Sequence, residues 1–183
     1  MGLFDRFIRS SVGKGDSGAD SAAPASVKAS AMRDVLCAPV SGRVIRMADV
    51  PDPVFSQEVL GKGCAIWPDT DIVYAPLSGS ITVVMGHAVG ISGDDGTEVL
   101  VHIGVDTVDM NGAGFTGFVK TGDHVDAGQP LIRMDRLAIR AAGHPDCVVL
   151  AVSNTDSFAD VELAVEGEVS VLAGSPVVTV RRS

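Results

Sequence analysis

The chain has 183 residues, of which 46% are hydrophobic and 20% charged, a balance that suits one folded domain with a tail and excludes an intrinsically disordered chain. Its formal net charge of −9 excludes nucleic acid as the main partner, because phosphate binding needs a concentrated basic surface. Cys37, Cys64 and Cys147 are widely spaced and form no CxxC pair, so they read as reduced, buried thiols rather than a disulfide framework or a zinc knuckle.

Residues 1–9 come first in chain order. Leu3, Phe4, Phe7 and Ile8 group on one face of a short amphipathic segment, with Arg6 and Arg9 beside them. Such a segment is unstable alone in water but can fold on an anionic membrane surface, so peripheral membrane contact through residues 1–9 is one expectation. Arg6 stands where a myristoylation motif wants Ser or Thr. No apolar run reaches the roughly 18 residues of a bilayer span, and no signal-peptide core is visible. The expected location is cytoplasmic. Residues 10–31 are rich in Ser, Gly and Ala and read as a flexible linker.

Residues 32–183 form the domain. Aromatics are scarce and Val and Gly abundant, which favours β-structure. Short apolar runs alternate with turn residues, giving expected strands at Arg43–Met47, Ala65–Trp67, Ile72–Tyr74, Ser80–Met85, Val99–Ile103, Val148–Val152, Val169–Leu172 and Val177–Val180. Only Arg136–Ala142 reads as helical, with Gly143 at the position of a C-capping glycine. The phrase Ala38-Pro39-Val40-Ser41-Gly42-Arg43-Val44 recurs 37 residues later as Ala75-Pro76-Leu77-Ser78-Gly79-Ser80-Ile81, and a related turn spans residues 122–131. Pro and Gly at such places set turns that reverse the chain into the next strand. The fold class is therefore all-β, and the recurring turns resemble those of barrel-sandwich hybrids, antiparallel sandwiches with very short helices.

Four histidines are candidates for chemistry. Alternation puts Val99, Val101 and Ile103 on one face of a strand and Leu100 with His102 on the other. A neutral imidazole is a good nucleophile, and its ordinary pKa near 6.5 keeps it largely neutral at cellular pH. Gly104 would let a partner's side chain approach, and Asp106 would fix the tautomer of the His102 ring. His87 lies fifteen residues earlier, and the turn at Gly93-Asp94-Asp95-Gly96 would bring the two histidines together across a hairpin. His124 and His144 fall in turns and read as solvated. Val83, Val89 and Leu100 would form an apolar rim around the pair.

The stretch from Leu36 to Phe115 resembles the glucose-class enzyme IIA of bacterial sugar phosphotransferase systems. The likeness is carried by Ala38-Pro39-Val40-Ser41-Gly42, Asp49-Val50-Pro51-Asp52-Pro53-Val54-Phe55, Gly86-His87-Ala88 and Val101-His102-Ile103-Gly104-Val105-Asp106-Thr107-Val108. Further pieces at Val152-Ser153-Asn154 and Ser175-Pro176-Val177-Val178 carry it to the carboxyl end. The resemblance implies that His102 accepts a phosphoryl group from the histidine phosphocarrier protein and passes it to a cysteine of a IIB domain. It implies that His87 contacts the phosphoryl group, and that Asp52, Val54 and Phe55 border the docking face. In the unphosphorylated form it implies regulatory binding to permeases or glycerol kinase. No cofactor is required, although zinc can bridge two such histidines with a partner's carboxylate, so His87 and His102 would be metal ligands only at an intermolecular site. The chain departs from the family pattern at Met85, where a threonine commonly bonds the second histidine. A metallopeptidase on a related fold would want a second histidine where Gly104 stands. A biotinyl or lipoyl carrier would want a hairpin lysine in a context that neither Lys62 nor Lys120 has.

Overall fold

The computed structural model describes residues 22–183. The amphipathic segment expected at residues 1–9, and the linker up to residue 21, lie outside the described residues.

The chain opens with β1 (Val35–Cys37) and β2 (Gly42–Arg46), then the four-residue helix α1 (Pro53–Ser56). Next come β3 (Lys62–Pro68), β4 (Ile72–Tyr74), β5 (Gly79–Met85), β6 (Ala88–Gly93) and β7 (Glu98–Ile103). Short strands β8 (Phe115–Gly117) and β9 (His124–Val125) lead to β10 (Pro130–Met134) and the helix α2 (Arg136–Ala141). The remaining strands are β11 (Val148–Val152), β12 (Asp160–Leu163), β13 (Ser170–Val171) and β14 (Pro176–Arg181). Short 3₁₀ turns occupy Met47–Asp49, Thr107–Met110 and Thr155–Ser157.

An eight-stranded antiparallel sheet runs β13-β2-β3-β11-β7-β6-β5-β9, and two three-stranded sheets run β1-β14-β12 and β4-β10-β8. The main core lies where these sheets meet: Val101 and Leu150 of the large sheet share one cluster with Leu36 and Val177 and with Val73 and Leu131 of the small ones. A second cluster covers the other face of the large sheet, where Ala88, Leu100 and Val149 pack beneath Met47, Val50, Phe55 and Leu60. The all-β sandwich expected from the turn pattern is the fold observed.

The repeated phrase is a structural repeat. Cys37 donates its N–H to Pro76 O and Tyr74 donates to Pro39 O, so the two copies interlock reciprocally. Ala38 exchanges backbone bonds with Gly174 and Ser175, and Ala75 does the same with Gly128 and Gln129. Even the serines correspond: Ser41 Oγ accepts from Ala173 N–H and Ser78 Oγ from Ala127 N–H. The related turn at residues 122–131 is thus the partner of the repeated phrase rather than a third copy of it.

One boundary needs correction. Residues 22–31 were expected in a flexible linker, yet the chain there is docked: Val27 N–H donates to Gly128 O and Ser30 N–H to Gly174 O. A Cβ on Gly128 would sit 2.3 Å from Val27 O, and one on Gly174 2.3 Å from Lys28 O. The small-residue composition that resembled a linker lets the segment lie flat across two glycine turns.

Candidate functional site

His102 is the fifth residue of β7 and pairs with Ala88 of β6 on one side and Val149 of β11 on the other. The alternation expected for this strand holds: Val99, Val101 and Ile103 enter the main core, while Leu100 lies in the second cluster. His102 therefore rises from the second face of the large sheet, on a row fixed by ladders on both sides. Its Nδ1 lies 2.9 Å from Gly104 O. A carbonyl can only accept, so this nitrogen carries the ring proton and the lone pair is on Nε2.

His87 sits in the tight connection between β5 and β6. Its carbonyl accepts from Ile103 N–H, and its ring meets that of His102 edge-on with centroids 4.9 Å apart. The fifteen-residue spacing thus brings the pair together as expected. Phe55 of α1 packs against His102 with ring centroids 5.0 Å apart, and Phe115 of β8 stands 6.5 Å from His87. Both imidazoles are 4% exposed. His87 Nε2 is buried with no hydrogen-bond partner, which among apolar neighbours is costly unless something else completes it.

Burial pushes His87 below its ordinary value. For His102, burial and then the neighbouring His87 push the pKa down to about 3, against a smaller opposing effect of the Gly104 carbonyl. Both rings are neutral near pH 7.

Several sequence expectations change in detail. Asp106 does not hold the His102 ring; Gly104 O does. The backbone turns left-handed at both Gly104 and Asp106, which leaves the Asp106 side chain exposed. Gly104 has an internal packing role. A Cβ there would lie 2.3 Å from Thr107 Cγ2 and 2.9 Å from Pro145 O, so the glycine permits an internal close approach. Val89 belongs to the main core and faces away from His102, because its paired neighbour Val101 points inward. Leu100 is on the histidine face but is buried, and half-buried Val83 shares that face through its pairing with Gly90.

The expected border loop does flank the site. Asp52 caps α1, accepting from Val54 and Phe55 N–H at 2.8 and 3.1 Å, while Val54 is exposed and Phe55 is buried against the ring. Asp-Pro before a short apolar pair is an N-cap with proline at the first helical position, a signal that marks α1. Met85 packs at the edge of the second cluster. His124 pairs with Asp94 at 3.0 Å on an exposed edge, far along the strands from His102. Among the described residues, no three His, Cys, Asp or Glu side chains gather so as to hold a metal ion. All three cysteines are free and buried.

An antiparallel sandwich holding two neutral imidazoles edge to face among apolar neighbours defines the class, and comparison with known proteins agrees. The family described as phosphoenolpyruvate-dependent sugar phosphotransferase system, EIIA 1, matches residues 34–158, and the chain belongs to that family. The glucose-specific EIIA component of Staphylococcus aureus is 36% identical over 142 residues, covering 74% of this chain and 86% of that protein. The beta-glucoside-specific EIIBCA component of Bacillus subtilis is 42% identical over 128 residues, 69% of this chain, which spans only 21% of that longer protein. Among solved structures, the glucose permease IIA from Mycoplasma capricolum superposes with a TM-score of 0.68 at 30% identity, covering 79% of this chain and 93% of the other. Within its family the chain is a glucose-class EIIA, a phosphocarrier component of sugar uptake. Among the described residues no helix is long and apolar enough to cross a membrane.

Proposed function

We propose that His102 is the phosphorylated residue, taking its phosphoryl group from the phosphohistidine of the histidine phosphocarrier protein in the cytoplasm and giving it to a cysteine of a IIB domain. One observation carries this reading: His102 Nδ1 is committed to Gly104 O, and the buried Nε2 of His87 lacks a partner beside it. In the first step the Nε2 lone pair of His102 attacks phosphorus in line as the donor's P–N bond breaks, leaving the donor imidazole neutral after proton balance with solvent. In the second step a cysteine thiolate attacks, the P–N bond to His102 breaks, and a P–S bond forms. The transition state for such transfer is loose, so the protein's contribution is positioning and charge compensation.

Each neighbour has a part. His87 Nε2–H donates to a phosphoryl oxygen, which satisfies the nitrogen that is orphaned in the bare form. Phe55 and Phe115 hold the rings and exclude water, slowing hydrolysis of the phosphohistidine. Val54 and Val83 with Asp52 contribute to the face that meets the protein partners. Adding a dianion to this site imposes repulsion and desolvation on any partner that fits the bare form, which supports phosphorylation-sensitive binding to permeases or glycerol kinase. The transfer asks for no cofactor. The two imidazoles could supply half of a tetrahedral zinc site, the remaining ligands coming from a partner.

The test is transfer of labelled phosphate from phosphoenolpyruvate through enzyme I and the phosphocarrier protein. Wild type should gain an acid-labile, base-stable label that His102→Gln loses, and His87→Gln should accept label but donate it poorly. A wild-type chain that stays unlabelled with competent donors overturns the proposal.

A further inference from the structure

We propose that Asp146 is a positioning residue for His102, acting with Arg136 and Arg140 through the backbone of residues 145–147. This rests on the reading of His102 as the phosphoryl carrier. Asp146 is a buried carboxylate, 3% exposed, outside the histidine pair. Its Oδ2 accepts from Arg136 Nε at 3.2 Å and from an Arg140 guanidinium nitrogen at 2.7 Å. The two arginines stand one helical turn apart on α2, so they reach the carboxylate from the same face.

What this ion cluster fixes is the short connection between α2 and β11. Pro145 O accepts from Val105 N–H at 3.0 Å, and Cys147 O accepts from Gly104 N–H at 2.8 Å. Those two bonds, on either side of Asp146 in sequence, hold the left-handed turn at Gly104. The carbonyl of that same glycine meets His102 Nδ1. A chain of four links therefore runs from the guanidinium groups to the reactive ring: carboxylate, flanking carbonyls, Gly104 peptide, imidazole.

The other end of α2 reaches the second histidine. Asp135 N–H donates to Gly114 O at 2.7 Å, and the next residue, Phe115, is the one beside His87. The helix thus braces both sides of the pair. Burying a carboxylate with guanidinium partners is a poor route to stability, since desolvation offsets most of the attraction. Its distinctive effect is to hold one backbone geometry, and with it the tautomer that leaves the lone pair on Nε2.

The test combines two measurements on the full chain. The first is single-turnover transfer from the phosphorylated phosphocarrier protein. The second is the ring ¹⁵N shifts of His102, which distinguish a proton on Nδ1 from one on Nε2. Wild type should show the Nδ1–H form. Asp146→Asn should show a mixture of tautomers and lower the transfer rate constant about tenfold with donor affinity little changed, as expected for a small displacement of a reacting group. Arg140, half exposed at its side chain, permits a gentler variant: Arg140→Gln should give an effect of the same kind of about threefold, largely restored in Arg140→Lys. If Asp146→Asn fails to fold, the Arg140 series decides.

Folded variants that keep both the wild-type rate and the pure Nδ1–H tautomer overturn the proposal. So does a loss of rate with the tautomer unchanged, which would mark a purely structural role. If wild type takes no label, the carrier reading falls, while the ¹⁵N shifts still report whether the clamp sets the ring.

Discussion

At His102 the environment decides the protonation state of the ring before any partner arrives. Burial disfavours the imidazolium, His87 adds repulsion, and the pKa falls to about 3. The ring resonances of His102 should therefore show no midpoint between pH 5 and 8; an inflection near 6.5 in an NMR titration would sink this account. Gly104 is as constrained as the histidine it supports. Its φ of +75° and the 2.3 Å approach to Thr107 Cγ2 predict that Gly104→Ala costs about 3 kcal/mol, from left-handed strain plus overpacking. Urea unfolding measures this, and adding Thr107→Ser should recover part of the loss, because it removes Cγ2 while keeping the hydroxyl that donates to Ile103 O. The identity of the two histidines and the face of His102 were legible in the alternation Val99, Val101, Ile103. The hydrogen-bond partner of the ring was not. Asp106 has the side chain that a reader of sequence looks for, whereas the bond is made by a backbone carbonyl that every residue owns. Val89 was misplaced for a related reason: a one-residue step in a strand exchanges core for surface, and the short β5–β6 connection hides the step.

Among the elements, the strands found from sequence are mostly those rich in branched apolar residues. Val148–Val152 of β11 matches its expected bounds, and α2 ends one residue short of Ala142, with Gly143 at positive φ beyond it. The strands that escaped have weak local signals. β6 contains Gly90, β10 opens on Pro130, and β12 is half acidic, so each owes its form to pairing with neighbours rather than to propensity. The glycines of the repeated turns do have a sequence signature, but its partner, the docked segment at residues 22–31, looks like any linker. That docking is testable. Gly128→Ala and Gly174→Ala each drive a methyl into the carbonyl of Val27 or Lys28, and should raise amide exchange at Val27 and Ser30 at least tenfold. Gly96 has positive φ and nothing within 4 Å of a Cβ, so Gly96→Ala controls for conformational strain alone. Equal exchange in all three variants would show that the segment is not held by these turns.

For the whole molecule, burying two neutral imidazoles links stability to pH with a definite sign. In the unfolded chain a histidine titrates near 6.5; in the folded chain His102 titrates at about 3, and His87 is shifted the same way by burial. Above pH 6.5 neither state binds the proton, and these residues contribute no pH dependence. Below it the unfolded state takes up protons that the folded state refuses, so stability falls as the solution is acidified. For His102 alone the loss between pH 7 and pH 5 is about 2 kcal/mol. Carboxylates held low in the fold, Asp95 among them, act in the same direction, but their window opens only near the ordinary carboxylate range, below pH 5. Between pH 7 and 5 the histidine pair therefore dominates. Denaturant midpoints across that interval should fall steeply for wild type, less for His102→Gln, and least for the double variant with His87→Gln. The double variant also removes the pair proposed to carry the phosphoryl chemistry, so a flatter pH profile in a chain that no longer takes phosphate would tie the acid sensitivity and the proposed carrier site to the same buried rings. A pH dependence unchanged by both substitutions would mean that the rings are solvated in the folded chain, and the proposed nucleophile would then have to be neutral by ordinary titration rather than by burial.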